Sequence, residues 1–323
     1  VLLLAGLAPS QSRVAALPPE LLEPSPGRAI AEIHGPTLSL ENSALRVEWT
    51  TKAGRLRFAR FEDRFAVRAL PVPDEAFVLR LKDGRELPAS GMSLASAPKV
   101  VRLRANPAAS RLSERLGGVK IVVRLQAPSA NASVVWSGVL RDGSNYLRQE
   151  ISVRAVGHDV PISEVRLMAW RLPGAKVVGT VQGSPVAAGD VFAGLEHPLS
   201  RCAVSDGLAT CSLLRELPLP AGHEVAYASV IGVTPRGQLR RGFLNYVERE
   251  RAHPYRTFLH YNSWYDLGYF STFDQAGALD RINAFGPELA ERRGVTLDSF
   301  LFDDGWDDPK TLWQFNSGFP NGF

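Results

Sequence analysis

The sequence predicts a multidomain chain: a large antiparallel β-sandwich followed by the start of a (β/α)8 TIM barrel, truncated after two strands. Three observations carry this expectation. Alternation of apolar and polar residues with period two dominates from about Thr37 to Pro235, as expected for half-buried strands. Asp-Gly pairs interrupt that alternation at Asp83-Gly84 and Asp142-Gly143, where hairpins need a positive φ. After Pro235 the pattern changes to helix, strand, helix, strand, which announces a parallel sheet.

Taken in order, residues 1–35 read as a signal-peptide remnant and linker. Val1-Leu2-Leu3-Leu4-Ala5-Gly6-Leu7-Ala8 looks like the tail of a signal-peptide apolar region, with Gly6 and Ala8 as small cleavage-site residues. A frayed apolar terminus is the alternative. Pro18, Pro19, Pro24 and Pro26 mark a linker. Export to a periplasmic or extracellular compartment follows as an expectation. It suits the only two cysteines, Cys202 and Cys211, whose spacing permits a local disulfide.

Residues 36–235 form the predicted sandwich. Leu45, Val47 and Trp49 alternate with Arg46 and Glu48, and Val101 and Leu103 with Arg102 and Arg104. Val119, Ile121, Val123 and Leu125 repeat the pattern, and Val225, Ala228 and Val230 belong to a late strand. Residues 236–254 read as a linker helix, because Leu239, Phe243 and Val247 recur at i, i+4 and i+8 beside Tyr246 and the run stops before Pro254.

Residues 255–323 read as the first βαβ portion of a barrel. Thr257–Asn262 is the first strand. Thr272 and Gln275 suggest a capping box for a helix carrying Leu279, Ile282, Phe285 and Leu289, which Gly286-Pro287 should kink and Gly294 should end. Leu297–Phe302 is the second strand, ending in Asp303, Asp304, Gly305 and Trp306. A closed barrel takes about 250 residues, so the chain is expected to be a fragment.

Composition narrows the function classes. Of 323 residues, 45% are hydrophobic and 22% charged, ordinary for a folded domain. The formal charge of +4 comes from scattered arginines such as Arg124 and Arg154. Solvated strand faces account for them, and no nucleic-acid module is recognisable. No membrane-length apolar run is present. His34, His158, His197, His223, His253 and His260 lack ligand spacing, so no metal and no cofactor are expected. Of these, His260 lies on the first predicted strand and is a candidate substrate contact. The sequon Asn131-Ala132-Ser133 matters only in a glycosylating host.

The chemistry concentrates at the two strand ends. Residues at the C-terminal ends of parallel strands carry the working groups of β/α folds. Adjacent carboxylates are poorly placed to flank a glycosidic bond, since a retaining pair stands about 5–5.5 Å apart on opposite sides. Asp303 and Asp304 suit acceptance of hydrogen bonds from neighbouring hydroxyls instead. Helix capping, or a calcium loop that recruits Asp307 and Asp308, are the alternatives. Trp264, Trp306 and Trp313 follow the same strand ends, where an indole can stack on a sugar ring.

Asn262-Ser263-Trp264, then Phe302-Asp303-Asp304-Gly305-Trp306, then Trp313 and Phe319-Pro320-Asn321-Gly322, together resemble the start of the catalytic barrel of clan D glycoside hydrolases. The nearest match is family 36, the α-galactosidase and α-N-acetylgalactosaminidase group. Thr311-Leu312-Trp313 stands where such enzymes usually have Gly-Asp-Trp. The resemblance implies a retaining enzyme with a carbohydrate substrate. Asp303 and Asp304 would hold the C4 and C6 hydroxyls, and Trp264, Trp306 and Trp313 would wall the pocket. The nucleophile and acid/base would lie beyond Phe323. A galactosyl transferase of the raffinose-synthase kind and a non-catalytic carbohydrate-binding protein are the alternatives. No oligomeric state is implied.

Overall fold

A computed structural model describes residues 22–268 and 270–322. The signal-peptide remnant expected at residues 1–8 lies outside the described residues. The chain divides into two compact units, one ending at Pro254 and one beginning at Tyr255.

The first unit is built from three sheets whose ladders, among the described residues, are all antiparallel. A five-stranded meander runs Ile30–His34, Thr37–Glu41, Leu45–Thr50, Arg57–Asp63 and Arg68–Leu70. A second five-stranded sheet has the order Arg201–Ser205, Leu208–Leu214, Ile162–Arg171, Val78–Leu81 and Glu86–Pro88. Both lie against a nine-stranded sheet. Its centre is four ten-residue strands, in the order Glu224–Val233, Tyr146–Ala155, Ala132–Arg141 and Gly118–Ala127.

The alternation in sequence becomes alternation in burial. In Leu45–Thr50, Leu45, Val47 and Trp49 are buried while Arg46 and Glu48 are half-exposed. Trp49 from the meander meets Trp136 from the nine-stranded sheet edge-on, with centroids 5.0 Å apart. Phe58 and Phe61 both meet Trp170 of the second five-stranded sheet at 5.4 Å. Offset and edge-on pairs of this kind add to their area burial, and here they tie three sheets to one core. Phe58 and Phe61 are three residues apart, so a regular strand would point them to opposite faces. A bulge opposite Glu48 and Trp49 absorbs the extra residue and lets both face inward.

Several expectations shift in detail. Ile30–His34 falls inside the stretch read as linker, yet it pairs with Thr37–Glu41 in full register. The proline-rich composition before it hid its alternation. Lys99–Leu103 forms a strand but stays largely exposed, because it pairs only with Gly118–Ala127. Asp83-Gly84 and Asp142-Gly143 make the expected turns, with φ of 88° at Gly84 and 70° at Gly143. Cys202 and Cys211 face each other across the Arg201–Ser205 and Leu208–Leu214 hairpin and are disulfide-bonded.

The helix Leu239–Glu250 is part of the first unit. Its Leu239, Phe243 and Tyr246 cover Tyr146, Phe192 and Val230 on the outer face of the nine-stranded sheet.

In the second unit, His260–Asn262 pairs in parallel with Ser299–Leu301. The helix Gln275–Phe285 lies between them in sequence and passes at Gly286–Glu291 into a single wide π turn, where Pro287 cannot continue the regular ladder. Thr272 is not the cap. Asp274 is, its carboxylate accepting the Gly277 N–H at 2.8 Å. Gly294, with a φ of 65°, ends the helical segment. A small core of Phe273, Ala278 and Phe319 is flanked by Leu267, Phe302 and Trp306.

Candidate functional site

The loops after the two parallel strands are joined by a short set of hydrogen bonds. Asn262 ends the first strand. Its side-chain oxygen accepts the Trp264 N–H at 2.8 Å, and its amide nitrogen donates to Asp303 at 3.2 Å. Ser263 is fully buried and its hydroxyl accepts the Asp303 N–H at 2.8 Å. Its carbonyl accepts from Asp266 and Leu267, turning the chain sharply. The loop is held from behind by Asp266, which accepts from the Tyr261 hydroxyl at 2.7 Å and from Arg281 at 2.6 Å. The Arg281 guanidinium first, and then the Tyr261 hydroxyl, hold the Asp266 carboxyl below the ordinary carboxylate range.

The two adjacent carboxylates have different surroundings. Asp303 is committed to the fold: one oxygen accepts the Asp304 N–H at 2.8 Å and the other accepts from Asn262. Asp304 is exposed, and its carboxylate has no hydrogen-bond partner among the described residues. It lines a cavity of about 140 Å³ with Phe270, Ser271, Thr272, Asp307 and Pro309. Gly305 is required at this turn. Its φ is 112°, and a Cβ there would come within 2.5 Å of the Ser271 carbonyl and 3.0 Å of the Phe273 ring. The Gly305 carbonyl accepts from Phe273 N–H and from the Asn316 side chain.

The three tryptophans are not equivalent. Trp264 stands beside Asn262 and meets Phe270 edge-on at 5.1 Å. Trp306 packs against the small core and stacks on Trp313, with centroids 6.1 Å apart and an interplanar angle of 22°. Trp313 is 70% exposed and has a φ of 59°. It rides on a closed turn in which Asp307 pairs with Phe315 and Asp308 bonds to Gln314. Asp304 alone of the five candidate residues lines the cavity. His260 is exposed, with its ring 5.7 Å from that of Phe258.

Asn262 and Ser263 enter the sequence reading only as part of the Asn262-Ser263-Trp264 motif, without a role, and Asn316 not at all, although all three position this site. Asn262 and Ser263 directly follow the strand, and an amide that both donates and accepts is the group that can bridge two loops. Asn316 gives no such signal, being fixed by contacts to Phe273 and Gly305 more than ten residues away. Among the described residues no group of three or more histidine, cysteine, aspartate and glutamate side chains is arranged to hold a metal ion. No described helix is long and apolar enough to cross a membrane.

No family model matches the chain, and no curated protein matches it. Solved structures do. The GH36 alpha-galactosidase AgaB from Geobacillus stearothermophilus is similar over 91% of this chain and 54% of its own, with a TM-score of 0.57 at 12% identity. The alpha-galactosidase from Lactobacillus brevis is similar over 90% of this chain and 53% of its own, with a TM-score of 0.52 at 14% identity. The galactosidase domain of the alpha-galactosidase-sucrose kinase AgaSK covers 89% of this chain, with a TM-score of 0.54 at 11% identity. The chain spans about half the length of these structures. At such identities the likeness is one of fold, to the N-terminal half of the GH36 enzymes.

Proposed function

We propose that this chain is the N-terminal part of an exported, retaining α-galactosidase-like glycoside hydrolase acting on terminal α-galactosyl or α-N-acetylgalactosaminyl residues. The observation that carries the reading is the unpartnered Asp304 carboxylate. It lines a cavity directly after a parallel strand, in a chain whose fold matches the first half of GH36 enzymes. The second unit is then the first strand–helix–strand of a (β/α)8 barrel, with its working residues at the C-terminal strand ends. Asp304 accepts sugar hydroxyls, and Asp303, locked by Asn262 and Ser263, sets the backbone that aims it. Trp264, Trp306 and Trp313 supply aromatic faces near it. The nucleophile and the acid/base lie on later strands, where one carboxylate attacks the anomeric carbon and the other protonates the leaving oxygen and then activates water. The Cys202–Cys211 disulfide supports an oxidising compartment.

The test uses a nitrophenyl α-galactoside. The 323-residue chain should show no turnover, and the longer protein should hydrolyse the substrate. In the longer protein Asp304→Asn should lower kcat/KM about 10- to 100-fold, the cost of about 1.5–3 kcal/mol for a charged hydrogen bond strengthened in the transition state. Turnover by the short chain would sink the placement of the catalytic carboxylates. Unchanged kinetics in Asp304→Asn would make the carboxylate structural, and transfer to sugar acceptors in place of hydrolysis would change the reaction class.

A further inference from the structure

A second polar concavity lies in the first unit, on the face of the nine-stranded sheet opposite the core. It is a trough of about 510 Å³, within the range of about 300–1,000 Å³ typical of small-molecule sites. Strand register builds its floor. Ser137 stands opposite Val122 on one side and Glu150 on the other, and Glu150 stands opposite Ala228. Val135 and Ala226 flank this row. Their small side chains leave the sheet surface open, while Lys120 and His197 stand at the walls.

The polar groups around the trough are partly uncommitted. The Ser137 hydroxyl makes no hydrogen bond among the described residues and keeps solvent contact at the trough floor, so it is open to a ligand. Lys120 is half-buried and has no carboxylate within ion-pair distance among the described residues. The His197 Nδ1 accepts the Leu199 N–H at 3.1 Å, which places the proton of the neutral ring on Nε2, a donor. The carboxylates are mostly neutralised. Arg148 donates to Glu150 at 2.9 Å and to Glu196 at 2.6 Å. Burial works against the Arg148 charge, but Glu196, with Glu250 and Glu150, more than offsets this and holds its pKa above the ordinary value. One Glu150 oxygen is left as an acceptor.

Donors and acceptors thus alternate around the trough, where Arg111, Lys120 and Arg148 stand against Glu150 and Glu196, and Glu250 behind Arg111 and Arg148 brings the two signs into balance. An anionic ligand would meet Glu150 and Glu196, and a cationic one would meet Lys120 and Arg148. A ligand whose groups each both donate and accept meets neither penalty, and hydroxyls have that property. We infer that this trough is a second carbohydrate site, taking a neutral oligosaccharide independently of the strand-end cavity in the other unit.

Titration calorimetry on the 323-residue chain tests this with stachyose, maltotetraose, cellotetraose and trigalacturonate as probes. At least one neutral tetrasaccharide should bind. Ser137→Trp, which fills the floor from the outer face, and Lys120→Ala should each weaken it at least tenfold while keeping the wild-type melting temperature. Asp304→Asn should leave that binding unchanged, whether or not the strand-end cavity holds sugar. If Ser137→Trp fails to fold, Lys120→Ala and His197→Ala decide. The inference is overturned if no neutral probe binds at millimolar concentration, if only trigalacturonate binds, or if the trough variants bind as wild type does.

Discussion

At the scale of single residues, Asp303 and Asp304 show that neighbouring identical side chains need not share a role. A carboxylate that accepts one hydrogen bond on each oxygen from the loop is held as part of its architecture, whereas one without a partner is wholly available to a ligand. The loop across from them depends on Asp266. Because its carboxyl is held below the ordinary range by Arg281 and Tyr261, its contribution to stability is fully present above the unfolded value of about 3.9. That contribution is lost as pH falls through the lower folded value. Chemical denaturation of the 323-residue chain at pH 6 and pH 3 should therefore show a loss in wild type that is smaller in Asp266→Asn. Equal losses in the two proteins would show that Asp266 is not a source of the acid sensitivity.

Elements show where local sequence rules succeed and where geometry decides between equals. Both Thr272 and Asp274 are competent caps by type. Asp274 performs the role because its backbone is extended at φ −122° and ψ 172°, with the carboxylate turned to Gly277. Asp274→Ala should cost about 1 kcal/mol of stability and speed exchange of the Gly277 amide, while Thr272→Ala should do neither. The Arg201–Ser205 and Leu208–Leu214 hairpin is closed by the disulfide. The double change Cys202→Ser and Cys211→Ser should lower the unfolding free energy of the first unit by about 2 kcal/mol, as expected for a short closed loop. Thiol labelling of the intact protein under denaturing, non-reducing conditions should find no free cysteine. The strands themselves were legible from period-two alternation, as Leu45–Thr50 shows. The bulge that brings Phe58 and Phe61 to one face was not, because it is set by pairing with Glu48 and Trp49.

At the scale of the whole molecule, the two units differ in how much core they own. The first buries Trp49, Trp136, Trp170, Phe61 and Phe77 in one continuous cluster. The second buries Phe273, Ala278 and Phe319, while Leu279, Ile282 and Leu301 remain exposed. A domain as short as the second unit is marginal even with a full core. A chain ending at Pro254 should therefore melt in one cooperative transition, and residues 255–323 alone should show none by calorimetry. A cooperative transition in the short piece would mean that its small core is sufficient.

By itself the sequence determined the antiparallel strand-rich character of the first unit, the helices that follow it and the residue types at the strand ends. Hydrophobic period, Asp-Gly turns and the Asp-Asp-Gly-Trp run act through neighbours a few positions away, so they can be read along the chain. Only the tertiary structure decided that Asp304 faces a cavity while Asp303 is locked, and that Asn262, Ser263 and Asn316 do the positioning. It also decided that Trp306 and Trp313 stack on each other, and that Ser137, Lys120 and His197 line one trough. Those facts depend on pairings between residues tens of positions apart. Local propensity carries no information about such pairings until the strands are in register.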